Sequence, residues 1–258
     1  MELSTTGPHT TPNPGTKVIV TGAAGGIGAA LIAALAGLGC QVAGIDRPGT
    51  ALPDGLAAIP LFEADLADES AAAAAVEKAV SLLGGLDCLI GAAANVASVH
   101  RATTFPPSTF RRDIESNLLS QFWTAQAAYH PLAESNSANL VLFSSTGAFD
   151  GLPGQVSYAA AKAGVIGLVR TLAAEWADSG IRVNAIVPGL VATPKVLALP
   201  ESTRERILRN VAMKRLVEVD EIVASVLFLM SPGGGAITGQ SLRVDGGAGI
   251  NTEGLYHA

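Results

Sequence analysis

Tyr158 and Lys162 are the residues of this sequence whose types and spacing best suit proton chemistry. They stand four positions apart in an Ala-rich helical segment, so both side chains lie on one face. A free phenol has a pKa near 10, and proton exchange near neutrality requires that pKa to fall by roughly 2–3. A neighbouring ammonium lowers it by favouring the phenolate. The pair therefore predicts a tyrosine acid/base, although the same spacing also occurs by chance on helix surfaces.

Two further polar positions can assist this pair. Ser145 follows an apolar strand-like run and its hydroxyl can donate to a substrate oxygen; Ser144 is its rival, and a plain turn hydroxyl is the alternative for both. Asn117 lies inside an apolar helical segment, where an amide lowers helix propensity. We therefore expect Asn117 to hold a kinked backbone or an ordered water.

A glycine-rich turn follows the first predicted strand. It reads TGAAGGIG over residues 21–28 and contains Gly22, Gly26, Ile27 and Gly28. Backbone N–H groups at a helix N-terminus bind a pyrophosphate, and any Cβ there would hold the backbone away from it. The turn predicts a dinucleotide site, with a plain strand-to-helix turn as the alternative.

Asp46 ends the second predicted strand, 18 residues after Gly28. A carboxylate there accepts both ribose hydroxyls of NAD and repels a 2′-phosphate. Arg47 argues in the other direction, because a basic side chain just after this strand can serve NADP. We predict NAD from the acidic residue. The alternatives are a turn acid for Asp46 and a solvated charge for Arg47.

Two later segments also end predicted strands. Asp65, followed by Leu66, can bind an adenine amino group or, as an Asp just before a helix, can cap that helix. Pro188 and Gly189 offer backbone groups that can bind a carboxamide, or they form an ordinary exit from the strand. Because α/β proteins bind ligands at the carboxyl edge of the sheet, we place these residues in the same predicted site.

Apolar β-branched runs alternate with Ala/Leu-rich helical segments along the chain. The predicted strands are 17–21, 41–46, 59–62, 87–93, 139–144, 182–187 and 241–244, and the predicted helices are 27–38, 67–83, 110–129, 156–177 and 219–230. This alternation predicts α/β architecture, a Rossmann-type doubly wound parallel sheet with helices on both faces. We expect residues 1–15 to form a loose tail and residues 16–258 a single domain.

Composition excludes several classes of function. The net charge is −6 with no basic cluster, so nucleic acid and acidic membrane surfaces are not expected partners. Cys40 and Cys88 lie far apart, which predicts no metal site and no disulfide framework and fits a reducing cytoplasm. Residues 18–45 carry no charge, but their longest helical piece, 27–38, is too short to span about 30 Å of bilayer.

Together these motifs resemble the short-chain dehydrogenase/reductase family over residues 16–247. The matching positions are the glycine turn, Asp46, Asp65, Asn117, Ser145, Tyr158, Lys162, Pro188-Gly189, Thr238-Gly239-Gln240 and Asp245-Gly246-Gly247. The resemblance implies a cytoplasmic, NAD-dependent oxidoreductase that interconverts a secondary alcohol and a ketone by hydride transfer. A non-catalytic NAD-binding scaffold and an epimerase or dehydratase on the same fold are the alternatives. A scaffold has no need of the four polar residues Asn117, Ser145, Tyr158 and Lys162. Epimerases usually carry a larger C-terminal domain.

The resemblance also implies roles for individual residues. Tyr158 is the general acid/base, and Lys162 lowers its pKa and holds the nicotinamide ribose. Ser145 orients the substrate oxygen, and Asn117 supports a water that relays protons. The implied cofactor contacts are Gly22, Gly26, Ile27, Gly28, Asp46, Arg47, Asp65, Leu66, Ala93, Tyr158, Lys162, Pro188, Gly189, Val191 and Thr193. The last two bind the carboxamide.

A homotetramer is implied as well, with a dimer as the alternative. It would pack through the helices that contain Asn117 and Tyr158, where Ala160, Gly164 and Gly167 are small enough for close approach. One motif departs from the family: Gly91-Ala92-Ala93-Ala94 stands where Asn-Asn-Ala-Gly is usual. The lost amides normally tie neighbouring strands together, so local stability and cofactor affinity are in question.

Substrate contacts are expected from the loops 95–104, 146–156 and 190–213, because loops carry specificity. The first contains His100 and Arg101, and the last contains an apolar run at Val196 and Leu197. A charged or sugar-like substrate would need fixed polar anchors, and the loops show no clear set of them. The prediction is a mostly apolar or cyclic alcohol or ketone.

Overall fold

A computed structural model describes residues 10–96 and 99–250 of the chain, which form a seven-stranded sheet with helices on both faces. The strands are β1 (Lys17–Thr21), β2 (Gln41–Asp46), β3 (Leu61–Glu63), β4 (Cys88–Gly91), β5 (Asn139–Phe143), β6 (Arg182–Pro188) and β7 (Ser241–Val244). The helices are α1 (Gly26–Gly37), α2 (Glu69–Leu83), α3 (Pro107–Ile114), α4 (Ser120–Ala133), α5 (Gly147–Asp150), α6 (Val156–Glu175), α7 (Pro194–Leu197), α8 (Glu201–Leu208) and α9 (Val219–Met230).

The strands pair in parallel in the order β3-β2-β1-β4-β5-β6-β7. The chain winds outward in one direction from β1 to β3 and in the other from β4 to β7. The direction reverses between β1 and β4, and a crevice opens there at the carboxyl ends of the strands. The predicted fold class, a Rossmann-type doubly wound sheet, is confirmed. Its topology places the glycine turn after β1 beside the loop after β4.

Two apolar layers cover the sheet. One face packs against α2, α4 and α6, and the other packs against α1 and α9. Local signals fix the ends of these helices. The Asp68 side chain accepts a hydrogen bond from the Ala71 N–H at the start of α2, and Gly84 ends the helix with a φ of 66°. Because both layers are apolar, the strands read as continuous hydrophobic runs.

Several predicted boundaries were wrong. The third strand is Leu61–Glu63 rather than 59–62, and the fourth ends at Gly91, before the loop that lines the crevice. The predicted helix 110–129 runs from Pro107 to Ala133 and contains a π-helical segment, Glu115–Leu119. Sequence patterns also missed the short helices α5, α7 and α8 in the substrate loops.

The predicted tail, 1–15, lies only partly in the described region. Residues 1–9 fall outside it, whereas the Gly15 N–H donates to the Gly39 carbonyl, so the end of the tail is attached to the fold. The uncharged stretch 18–45 forms strand, turn, helix and strand. Among the described helices, α6 is long and apolar enough to cross a membrane by length and composition alone. That is weak evidence, because core helices pass the same test, and α6 packs against the sheet.

Candidate active site

The glycine turn is built by backbone packed on backbone. Gly22 has a φ of 67°, and a Cβ on it would lie 2.7 Å from the Ala93 Cα. A Cβ on Gly28 would lie 2.1 Å from the Gly22 carbonyl oxygen. Neither position can accept a side chain without movement of the main chain. The half-buried Ile27 packs beneath the turn on the apolar layer of α1 and α9.

A cleft of about 370 Å³ opens beside this turn. Six of the fifteen predicted cofactor contacts line it: Gly22, Asp46, Arg47, Asp65, Leu66 and Ala93. Sequence reasoning missed a second wall, formed by Arg112, Ser116 and Ser120. These three polar residues follow one another at intervals of four on one helix face. That spacing is the signal that could have identified them.

Asp46 is held rigidly at the mouth of the cleft. One carboxylate oxygen accepts the Ala24 N–H at 2.8 Å, and the other accepts the Arg47 N–H at 2.7 Å. Each oxygen keeps a further lone pair for another donor. The Arg47 side chain is exposed. The structure therefore gives the carboxylate a fixed position and leaves it able to accept hydroxyl groups.

Asp65 lies beside the cleft and not at the start of α2. Its carboxylate accepts the Ala67 N–H at 3.1 Å in a tight turn. The helix is capped three residues later by Asp68. The capping alternative for Asp65 was therefore wrong, because the turn occupies the residues in between.

Tyr158, Ser145 and Lys162 come together at the carboxyl end of β5. The Ser145 side chain is close enough to the Tyr158 phenol to favour its ionised form. The Lys162 ammonium is fully buried, lies 5.7 Å from the centroid of the Tyr158 ring and donates to the Phe143 carbonyl at 2.8 Å. Ser144 is turned away, since its hydroxyl donates to the Lys162 carbonyl at 2.7 Å. The geometry thus distinguishes the two serines.

The protonation of this trio differs from the expectation. Burial raises the pKa of Tyr158 above its usual value, and the nearby Ser145 side chain opposes that change. Burial also lowers the pKa of Lys162 to about 7. The expected lowering of the phenol pKa by the ammonium is therefore not found in this structure. Desolvation acts on both groups, and the ammonium binds a main-chain carbonyl.

Asn117 lies in the π-helical segment and is fully buried. Its amide nitrogen donates to the Asp113 carbonyl at 2.9 Å and to the Asn95 carbonyl at 3.0 Å. Its amide oxygen accepts the Asn95 N–H at 3.0 Å. The side chain therefore joins the widened helix to the loop after β4. Single-turn π segments of this kind occur frequently at functional sites.

A buried pair next to Tyr158 was not anticipated. The Ser157 hydroxyl donates to the Asp113 carboxylate at 2.5 Å, and both side chains are buried. The bond joins α3 to the first turn of α6. It lies across 44 residues of sequence, so no local pattern could have indicated it.

The segment after β6 reaches across to the glycine turn. The Gly189 N–H donates to the Val244 carbonyl at 3.1 Å, and the buried Val191 pairs with Val217. The Thr193 side chain lies 3.3 Å from where a Cβ on Gly26 would stand. The segment that follows Pro188 therefore approaches the glycine turn through Thr193. In residues 10–96 and 99–250, no group of three or more His, Cys, Asp or Glu side chains could hold a metal ion.

Comparison with known proteins shows the same architecture and chemistry class. A family model described as enoyl-(acyl carrier protein) reductase matches residues 22–249. A solved structure, the short-chain dehydrogenase/reductase from Serratia marcescens, is 29% identical with a TM-score of 0.86, covering 93% of this chain and all of that one. The chain belongs to the short-chain dehydrogenase/reductase family.

Relatives within this oxidoreductase family carry different names. Nodulation protein G of Azospirillum brasilense is 37% identical over 240 residues, 89% of this chain and 96% of that protein. Galactitol 2-dehydrogenase of Cereibacter sphaeroides is 36% identical over 242 residues, 90% and 94% of the two chains. A 7α-hydroxysteroid dehydrogenase, solved with NADH and 7-oxo glycochenodeoxycholic acid, is 27% identical with a TM-score of 0.86, covering 93% of this chain and 96% of that chain.

The three loops predicted to contact substrate, called the substrate side below, carry exposed apolar side chains. They are Val99, Phe149, Leu152, Val156, Leu197, Leu199, Ile207 and Met213. The His100 N–H donates to the Gly154 carbonyl at 2.8 Å and joins two of the predicted loops. His100 and Arg101 are themselves exposed, and Ala97 and Ser98 of the first loop lie outside the described residues.

An ion pair fixes the middle loop. The Arg243 guanidinium donates to the Asp150 carboxylate at 2.9 Å and to the Asp245 carboxylate at 2.6 Å, and it lies 5.3 Å from the Phe149 ring centroid. The strand β7 thus anchors α5, which follows Ser145. The sequence placed Asp150 only within the predicted loop 146–156, because its partner lies 93 residues away.

Proposed function

We propose that this chain is an NAD-dependent oxidoreductase that interconverts a secondary alcohol and a ketone, with Tyr158 as general acid/base. The observation that carries the proposal is the close grouping of Tyr158 and Ser145 with the buried Lys162 at the carboxyl end of β5. Three groups that can move or stabilise a proton converge there. A scaffold protein would gain nothing from burying an ammonium next to a phenol.

The residues present fit a nicotinamide dinucleotide. The glycine turn has a surface that any Cβ would fill, and the Asp46 carboxylate is fixed at the mouth of the adjoining cleft. We assign the adenosine half to that cleft and the carboxamide to the segment from Pro188 to Thr193. When bound, the dinucleotide supplies the hydride acceptor for the alcohol or the hydride donor for the ketone. A negative charge at Asp46 favours NAD over NADP, which carries a 2′-phosphate.

The proton chemistry belongs to the protein. In ketone reduction, Tyr158 donates its phenolic proton to the substrate oxygen while Ser145 holds that oxygen by a hydrogen bond. In alcohol oxidation, the phenolate accepts the hydroxyl proton. The phenolate is costly in this buried setting, and the Lys162 ammonium offsets that cost when it is protonated. Asn117 keeps the loop after β4 in place beside the reacting groups.

We propose a mostly apolar or cyclic substrate. Exposed Leu152 supports this, because a Cβ built on Gly147 would lie 3.3 Å from Leu152 and 3.6 Å from the Ser145 hydroxyl, which puts an apolar side chain near that hydroxyl. The structural relative that acts on a steroid has the same fold. The relative named galactitol 2-dehydrogenase makes a polyol the alternative.

A panel of substrates tests the proposal directly. NADH formation is followed with secondary alcohols, steroid alcohols, cyclic diols and sugar alcohols, using NAD and NADP in parallel. We expect turnover with NAD on cyclic apolar alcohols. Turnover on polyols alone would contradict the proposed substrate class. Failure to bind either dinucleotide would contradict the proposed function itself.

We also propose a homotetramer in the cytoplasm, packed through α4 and α6. The three small residues of the predicted interface differ in whether they are open to a partner chain. A Cβ on Gly164 would meet Leu118 of the same chain at 2.8 Å, whereas Gly167 is open and Ala160 is exposed. Light scattering on the purified protein measures the assembly. Cys40 and Cys88 are free and buried, as suits a reducing compartment.

A further inference from the structure

Gln121 is a fully buried amide on α4 whose purpose the proposed chemistry does not explain. Its side-chain nitrogen donates to the Ala93 carbonyl at 3.0 Å. Its side-chain oxygen has no hydrogen-bond partner among the described residues. A buried, half-satisfied amide is destabilising, so its presence requires a compensating role.

The amide occupies space that exists only because position 91 is glycine. A Cβ on Gly91 would lie 2.2 Å from the Gln121 side-chain oxygen. Gly91 ends β4, where it pairs with Thr21 on one side and Leu142 on the other. Its φ is not positive, so no turn requires glycine there. A glycine inside a strand often marks the close approach of another group, and here that group is Gln121.

The bond fixes one wall of the cofactor cleft. The Ala93 N–H donates to the Thr21 hydroxyl at 3.2 Å, so Gln121 and Thr21 hold the two ends of this residue. Ala93 lines the cleft, and its Cα sets the limit on any side chain at Gly22. A displacement of Ala93 would therefore move the surface that faces the dinucleotide.

We propose that Gln121 is a positioning residue for dinucleotide binding. From a helix it supplies a side-chain amide to the Ala93 carbonyl, through the space that Gly91 leaves open. Gly91 and Gln121 then act as one unit, so a substitution at either position should loosen the placement of Ala93. The inference rests on the proposed function, because it needs a dinucleotide in the cleft.

The proposal is tested by measuring the dissociation constant for NADH, by fluorescence, on the purified protein and its variants. Gln121→Met keeps the size and removes the amide, and we expect the Kd to rise about tenfold, as for one lost hydrogen bond. The kcat at saturating cofactor should stay within about twofold, because Tyr158 does not move. Gln126→Met makes the same change at an exposed position of the same helix and should leave the Kd unchanged.

A second variant tests the unit without altering Gln121. Gly91→Ala pushes the amide away from Ala93, and the Kd should rise to a similar extent. In a Gln121→Ala background, Gly91→Ala should add nothing further, because the shared bond is already lost. This cycle also decides the case if Gln121→Met fails to fold. Independent, additive effects of the two changes would overturn the proposal.

A control variant in the core distinguishes a specific effect on NADH binding from a general loss of stability. Val76→Ala, in α2 of the same apolar layer, should lower the unfolding temperature and leave the NADH Kd unchanged. If Gln121→Met behaves like Val76→Ala, Gln121 is structural only and the inference fails. If the unaltered protein binds no dinucleotide, the proposed function fails instead.

Discussion

The cofactor side and the substrate side of this site are built in different ways. At the glycine turn, main chain packs on main chain, and a Cβ on Gly28 would stand 2.1 Å from a carbonyl oxygen. On the substrate side, exposed apolar side chains sit on loops, and the middle loop is held by a partly exposed ion pair, Arg243–Asp150. The first surface tolerates almost no change, whereas the second can vary with little cost to the fold. A conserved chemistry and a changeable specificity can therefore share one sheet edge.

Of the two sides, the cofactor side should show the larger effect. Gly28→Ala forces a side chain into the Gly22 carbonyl, and overpacking of this kind should weaken NADH binding by about 100-fold or more. Gly37→Ala is the matched control on the same helix, since no described atom lies within 4 Å of its added Cβ. It should leave the Kd unchanged. Equal binding by both variants would contradict the account of the turn.

The reaction centre lies between the two sides. The pH dependence of its kcat/KM should differ between alcohol oxidation and ketone reduction. Because the pKa of Tyr158 is raised, the residue is a phenol at neutral pH, ready for ketone reduction and wrongly protonated for alcohol oxidation. We expect kcat/KM for oxidation to rise by up to about tenfold per pH unit above neutrality, while reduction stays flat. Loss of the Lys162 ammonium above pH about 7 should moderate that rise. A plateau in oxidation below neutrality would show that the pKa is lowered in the working enzyme.

A smaller effect is expected on the preference for NAD over NADP. Asp46→Asn removes the charge and keeps an oxygen for the Ala24 N–H. The ratio of kcat/KM for NAD to that for NADP should fall about tenfold, since repulsion of the 2′-phosphate is lost. Arg47→Ala, measured alongside, should change that ratio in the opposite direction if the arginine serves NADP. An unaltered ratio in Asp46→Asn would remove this residue from cofactor selection.

The smallest effect should come from the substrate side. Asp150→Asn removes the partly exposed ion pair with Arg243 and leaves the bond from Arg243 to Asp245 in place, and ion pairs of this type contribute at most about 1 kcal/mol. The substrate KM should therefore rise by roughly threefold, with the NADH Kd unaffected. Asp178→Asn, at an exposed position, is the control. A large loss of cofactor binding in Asp150→Asn would mean that the two sides are not separate.

The same contrast explains what could be predicted from the sequence. The glycine turn and strands β1, β2 and β7 were correctly placed, because one residue type or one apolar run determines each of them. The bonds Gln121–Ala93 and Ser157–Asp113 could not be predicted, since they join residues 28 and 44 positions apart. The raised pKa of Tyr158 was also missed. Spacing shows that Lys162 is near, but only the fold shows that both groups are buried.

The central claim, that Tyr158 transfers the proton, is tested most directly by Tyr158→Phe. The variant keeps the ring above Lys162 and removes only the hydroxyl near Ser145. We expect NADH to bind with a Kd within about twofold of that of the unaltered protein and turnover to fall by about 1,000-fold or more, as for loss of a general acid/base. Near-normal turnover in a variant that still binds NADH would contradict the account.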